Sequence, residues 1–324
     1  MSRRATEVAR PHGTGVVMTG GLRTLVIPQV LRDLKRNVVD ALSADLFLFI
    51  DPNQTVWAAR VDEHKYQECN RHRSGAVPWG GDRTVYSLEQ VLHILRPVAH
   101  AEFNDCASFG RVTSVRRVWP AEVWASARED LRPVNCTYTW YRRYYPQFFW
   151  MAEAYQLLLA HERQRAARYE WVVKVRTDMM FYRALSLPPM LSSARGAVYG
   201  NSYLVPPSEM LIDWWAIMTG GTAADTYFSS ASSYRRCDSF AELANGTACG
   251  GKYFVTPTAV ECVLTRHLLW HGVSVDRGWA TTLKLNPALV HFDPKRGNVA
   301  SGISTIHWNR VAAFGWTRLA RPRG

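Results

Sequence analysis

The sequence predicts an α/β fold, a mostly parallel sheet flanked by helices, in a single domain whose C-terminal half is rich in loops. Three observations lead there. A strand, a helix and a second strand follow one another between Val16 and Ile50, the spacing of a βαβ unit. Short apolar runs recur over residues 46–50, 98–103 and 172–175, and each ends in polar or charged residues. Beyond Asp178 the chain changes character, with Pro188-Pro189, Pro206-Pro207 and scattered Ser and Gly marking loops.

Taken in order, residues 1–13 are polar and predict a disordered arm. Residues 16–19 read as a strand closed by Gly20-Gly21-Leu22-Arg23. A helix follows with Pro28 near its start. Leu31, Leu34, Val38 and Leu42 share one face, and Arg32, Lys35 and Arg36 the other. A Gly-Gly turn ahead of a helix offers bare N–H groups to a phosphate. A tight turn needs glycine for its own sake as well. The strand over 46–50 ends at Asp51-Pro52, and residues 51–82 read as a polar excursion. Ser87 with Gln90 predicts a capping box, ahead of Leu88, Val91, Leu92 and Leu95 on a buried face. Pro97 stops that helix, and the strand over 98–103 ends at Asn104-Asp105. Pro146 predicts the start of the longest helix, with Phe149, Ala152, Tyr155 and Leu159 at helical spacing.

That helix delivers the chain into YEWVVKVRTDMMFY, residues 169–182. Its β-branched run predicts a buried strand ending in Arg176, Thr177 and Asp178. Alternation places Arg176 and Asp178 on one face and Thr177 on the other. Charges at the end of a buried strand are costly to keep unless they bind something. Asp178 suits a divalent cation bridging a diphosphate, and Arg176 suits phosphate or ribose. A structural ion pair is the alternative. In a doubly wound sheet the four strand ends share one carboxyl edge, where ligands bind.

Downstream, residues 197–205 read as a strand. Asp213 lies beside two tryptophans in EMLIDWWAIM. It is a candidate base toward a sugar hydroxyl, with an exposed helix residue as the alternative. Residues 257–271 predict a helix stopped by Gly272. His291, Asp293 and His307 stand as late ligands or phosphate contacts, or as ordinary packed residues.

The 324 residues carry a formal charge of +12, and the pI of about 9.6 fits an anionic partner. The basic residues are spread out, without zinc-finger spacing or an RNP-type motif, so nucleic acid is not the expected partner. Thirteen Trp and fourteen Tyr serve either core packing or sugar platforms. None of the six cysteines sits in a CxxC pair, which excludes the usual structural zinc spacing. Cys237 and Cys249 either bridge or stay thiols. Asn-x-Thr sequons at Asn53, Asn135 and Asn245 lean toward a secretory lumen. No apolar run is long enough to span a bilayer, and no signal-peptide core is evident. The chain is expected to be soluble, with any anchor outside this sequence.

Several stretches together resemble GT-A-type glycosyltransferases, particularly families related to bacterial lipopolysaccharide- and capsule-synthesis enzymes, with uncharacterised eukaryotic relatives. They are VVMTGGLR, ADLFLFID, Tyr145-Pro146-Gln147, YEWVVKVRTD and IDWWAIM. The late set Glu261, Leu264, His267-Leu268 and Gly272-Val273-Ser274-Val275 completes them. The resemblance spans roughly residues 16–276. It implies a GT-A-like, Rossmann-like domain over 14–310, with a nucleotide-binding half (14–181), an acceptor half (182–310) and a basic tail (311–324). It implies hexose transfer from a nucleoside-diphosphate sugar to a hydroxyl of a glycan or glycolipid. Gly20, Gly21, Arg23, Asp51, Arg176 and Asp178 would lie at the donor, while the catalytic role of Asp213 rests on the reading of its own residues and not on the resemblance. Asp178 would match the metal-binding second Asp of the Asp-x-Asp motif, holding Mn2+ or Mg2+. Arg176 replaces the first Asp, so a metal-independent site stands beside the metal-dependent one. The alternative function is a non-catalytic nucleotide- or sugar-binding protein of the same fold. A eukaryotic member would work in the Golgi or secretory lumen, any other in the cytoplasm.

Overall fold

The computed structural model describes residues 13–22, 25–26, 28–52, 86–102, 139–177, 179–181, 183–188, 196–202, 211–231, 260–276, 288–293 and 298–299. The first strand, β1 (Thr14–Gly21), leads to α1 (Pro28–Leu34), a π-helical continuation (Lys35–Asp40) and β2 (Asp45–Asp51). Then come α2 (Leu88–Leu95), β3 (Ala99–Glu102), α3 (Thr139–Arg165), β4 (Trp171–Arg176) and β5 (Met179–Phe181). The later elements are β6 (Ala197–Ser202), β7 (Leu211–Thr219), α4 (Thr222–Phe228), α5 (Val260–Trp270) and β8 (Ser274–Asp276). β9 (Ala288–Asp293) and β10 (Asn298–Val299) close the list. Seven strands form one sheet in the order β3-β2-β1-β4-β7-β6-β8. β2 pairs in parallel with β1 and β3, β1 with β4, and β6 with β8. β7 runs against both of its neighbours. β5, β9 and β10 make a small separate sheet.

The central strands read as apolar runs because helices cover both faces. Val17, Phe47, Val172, Val198 and Met218 point to one core, which they share with α3, α4 and α5. Val16, Leu46, Leu48, Val173, Val175 and Ile217 point to the other, shared with α1 and α2. Each such side chain, fully buried, contributes about 1.5–3 kcal/mol. Lys174 interrupts the pattern, because it stands on β4 with only 1% of its surface exposed.

On the first helix Leu31, Leu34 and Val38 are buried and Arg32 and Arg36 exposed, as their spacing predicts. The π-helical stretch buries Asn37, Val38 and Val39 in succession. Asn37 donates from Nδ2 to the Phe181 carbonyl and accepts from the Leu185 N–H (2.7 Å), tying this helix to β5. The capping box is present. Gln90 N–H donates to Ser87 Oγ (3.2 Å), and Ser87 N–H donates to Gln90 Oε1 (2.8 Å).

Two expectations need correction. The longest helix begins at Thr139, not at Pro146. Proline suits a first helical turn; inside a helix it loses its own N–H bond and crowds the carbonyl four residues earlier, yet this helix runs through it. Gly20 and Gly21 are also not the turn itself. Both belong to β1, and Gly21 stands opposite Asp51. The turn comes after them, closed by Leu25 N–H on the Leu22 carbonyl (2.9 Å).

The amino edge of the sheet is stitched by charge. Arg168 makes a two-pronged contact with Asp225 (2.8 and 3.0 Å) and reaches Glu162 (3.2 Å). Glu162 also accepts the Tyr169 N–H (2.8 Å), and Tyr155 donates to Asp225 (2.8 Å). A planar guanidinium suits this geometry where an ammonium would not.

Candidate functional site

β1, β2 and β4 run in parallel and end together. Gly21 pairs with Asp51, and Thr19 pairs with Arg176. Gly20, Gly21, Asp51 and Arg176 therefore share the carboxyl edge of the sheet. Asp51 is buried at the end of its strand. Just past β4, Thr177 donates its hydroxyl to the Gly21 carbonyl (2.9 Å) and its N–H to the Thr19 carbonyl (3.3 Å). Thr177 thus turns toward β1 and lines the cleft, instead of facing away as strand alternation would have it. Regular pairing with β1 has ended at Arg176, so the period of two no longer governs the side chain.

Gly20 has a φ of +147°, which side-chain-bearing residues avoid, and a Cβ there would collide with Thr177 Oγ1. Gly20→Ala is expected to cost about 2 kcal/mol or more. Urea denaturation checks this, and an unchanged midpoint would show that the edge tolerates a methyl group.

Asp213 reaches the edge from the far side. It lies in β7, so the alternative of an exposed helix residue is overturned. Only 3% of it is exposed. Its orientation follows from an irregularity. Gly200 faces Ala216 across the β6–β7 pair, but Ser202 faces Leu211 where regular pairing would give Trp214. Trp215 and Trp214 both pack on the α1–α2 side. Past them Leu211 belongs to the opposite core, and Asp213 stands with Arg176, Oδ2 to guanidinium 3.6 Å. Extra residues in one strand are a common way to re-aim a side chain beside a site. Lys174 completes the group by donating from Nζ to the main-chain carbonyl of Asp213.

Thr19, Gly20, Gln147, Lys174, Arg176 and Asp213 are among the residues lining a cleft of about 40 Å³, room for a water or two. Thr19 is 4% exposed, and its hydroxyl has no hydrogen-bond partner among the described residues. Such a group is costly unless water or a ligand meets it. A roomier cavity, about 680 Å³, opens at the other edge beside Glu162, Arg163, Arg168 and Gly220. Size alone favours it, but Glu162 and Arg168 are already paired with each other there. Ligands of open α/β sheets bind at the carboxyl edge.

The structure brings Gly20, Gly21, Asp51, Arg176 and Asp213 to this edge. Arg23 and Asp178 lie outside the described residues, as do Asn104-Asp105, His307, the three sequons and every cysteine but Cys262. His291 and Asp293 fall on β9, in the small sheet. Among the described residues no three His, Cys, Asp or Glu side chains gather in one place. No described helix is long and apolar enough to cross a membrane. Sequence reasoning missed Lys174 and Thr177. Lys174 was within reach, because two positions from Arg176 on a strand means the same face.

The chain is thus an α/β protein with a Rossmann-like sheet and a polar cleft at its carboxyl edge. No protein-family model matches it, and no curated protein matches its sequence significantly.

Proposed function

We propose that the protein is a glycosyltransferase that moves a hexose from a nucleoside-diphosphate sugar to a hydroxyl of a glycan or glycolipid. One observation carries the reading most. Strand ends far apart in sequence converge on one edge, bringing a buried lysine, a part-buried arginine, a buried carboxylate and a hydroxyl with no partner among the described residues to one cleft. The sequence's resemblance to GT-A-type enzymes supplies the reaction class. In this reading Gly20 and Gly21 let the donor approach the main chain, and Asp51 lies at the nucleoside end. Arg176 faces the diphosphate. As the acceptor oxygen bonds to the anomeric carbon, the sugar–phosphate C–O bond breaks. The diphosphate leaves with the electron pair, and its charge develops beside Arg176. Asp213 takes the proton of the acceptor hydroxyl. Asp178 is the residue that would hold Mn2+ or Mg2+, and a bound cation would neutralise charge on the leaving diphosphate.

A thermal-shift panel of nucleotides and nucleotide sugars, each with and without Mn2+ or Mg2+, identifies the donor, and donor hydrolysis then measures turnover. Asp178→Ala is expected to abolish turnover and leave the melting temperature intact. Unchanged turnover would remove Asp178 from the site. Donor binding without any turnover would favour the silent binding protein, and strongly salt-dependent binding to RNA or DNA would favour a nucleic-acid partner.

A further inference from the structure

We propose that Lys174 is a positioning residue: its ammonium, bonded to the main chain of Asp213, holds the irregular part of β7 that turns the Asp213 carboxylate into the cleft. The inference rests on the glycosyltransferase reading for its catalytic consequence, but not for its structural content.

Lys174 occupies a place where a lysine is rarely found. It lies in the interior strand β4, paired with Val17 of β1 on one side and Ala216 of β7 on the other. It is 1% exposed, among the largest fully buried side chains. A buried charge must be repaid by good partners, and an apolar side chain of the same size would often serve stability as well or better. Nζ donates to the Asp213 carbonyl, three residues from its own ladder partner Ala216.

That carbonyl belongs to the stretch where the ladder fails. β7 pairs with β4 only as far as Trp215, and its register with β6 is lost between Ala216 and Leu211. Asp213 lies within this gap. Leu211 on the far side is held by Thr265 of α5, which accepts its N–H (2.8 Å). A stretch that leaves the regular ladder has several ways to lie. Lys174 ties its middle to the central strand, and Arg176, two residues on, meets the carboxylate of the same residue. One strand face thus fixes both ends of Asp213, main chain and side chain. Displacing a reacting group by about 1 Å can cost about 100-fold in rate.

The test uses Lys174→Met, which keeps the length of the stem and removes the ammonium. Lys174→Gln keeps an N–H donor on a shorter stem. The protein is labelled with 5-fluorotryptophan, and the Trp214 resonance is assigned with Trp214→Phe. The expected result is a shifted or broadened Trp214 signal in Lys174→Met with Trp171 unmoved. Lys174→Gln should lie nearer the wild type. Donor-hydrolysis kcat should fall about 10- to 100-fold in Lys174→Met, with KM for the donor little changed. Added to Asp213→Asn, the Met substitution should reduce kcat no further, because it acts through Asp213. A Trp214 signal identical in all three forms would overturn the proposal, as would an independent further loss in the double variant. If Lys174→Met does not fold, Lys174→Leu takes its place under the same readout, and a Trp214 signal unmoved there refutes the holding role. If the wild type neither binds nor hydrolyses any nucleotide sugar, the transferase reading fails. The Trp214 resonance still decides what Lys174 does.

Discussion

Arg176→Leu is expected to destabilise the protein by about 3 kcal/mol and to weaken nucleoside-diphosphate binding about 10- to 100-fold. The two losses have different origins. Asp213 is almost wholly buried, and the Arg176 guanidinium lies 3.6 Å from its carboxylate. Removing one partner of a buried pair leaves the other charge poorly compensated, which typically costs 3–5 kcal/mol. The 3.6 Å separation and the 19% exposure of Arg176 place this pair at the lower end. The binding loss has a separate cause. A hydrogen bond between guanidinium and phosphate is worth about 1.5–3 kcal/mol, which sets the fold-change in affinity. The double variant Arg176→Leu/Asp213→Asn separates them. With the carboxylate made neutral, stability should return most of the way toward wild type, while diphosphate binding should stay weak. Urea denaturation and isothermal calorimetry on the four proteins of the cycle read both quantities. If single and double variants were equally unstable, the pair would not be coupled, and Arg176 would stabilise the edge by packing alone.

The parts of this edge that depend on short-range pattern were legible in the sequence. Val172, Val173 and Val175 announce a buried strand, and period-two alternation sorts their neighbours onto two faces. Parallel strands that end in Gly21, Asp51 and Arg176 must meet if the order is doubly wound, so the edge itself followed from the βαβ spacing. Asp213 was found by its residue type but not by its surroundings. Alternation alone would have sent it with Trp215 to the opposite core. What redirects it is the lost register between β6 and β7, a property of pairing between strands that no single stretch encodes. Pro146 misled for a related reason. Its local preference for a first turn does not fix where α3 begins, and the buried residues Phe148, Met151, Tyr155 and Leu158 hold the helix only beyond it. The antiparallel insertion of β7 between β4 and β6 was likewise out of reach, since hydrophobic pattern gives strands but not their partners.

Acid should loosen the side of the molecule that holds β7, through His267. This ring on α5 is 3% exposed. Its Nε2 donates to the Thr226 carbonyl of α4 (2.9 Å) and lies 3.3 Å from Ser229 Oγ. Burial, reinforced by the neighbouring His271 ring at 4.6 Å, pushes its pKa down from 6.5 to about 4, with the Thr226 bond opposing only in part. The folded state therefore binds this proton less readily than the unfolded chain. The stability it contributes is fully present above pH 6.5 and is lost as pH falls from about 6.5 toward about 4, below which this group adds no further change. At about 1.4 kcal/mol per pH unit the loss is about 3 kcal/mol. Carboxylates also titrate in the lower half of that window, so the difference between wild type and His267→Gln is the quantity to follow. Urea midpoints at pH 7, 6, 5 and 4 should bring the two proteins closer by about 3 kcal/mol as pH falls, whereas parallel curves would mean that His267 does not titrate on unfolding. The consequence reaches the cleft. The same helix α5 carries Thr265, which anchors Leu211 at the start of β7, and Asp213 follows two residues later. When the α4–α5 contact weakens, the strand that delivers Asp213 loses its outer support. Turnover should then fall on the acid side at a pH where the sheet itself is still folded.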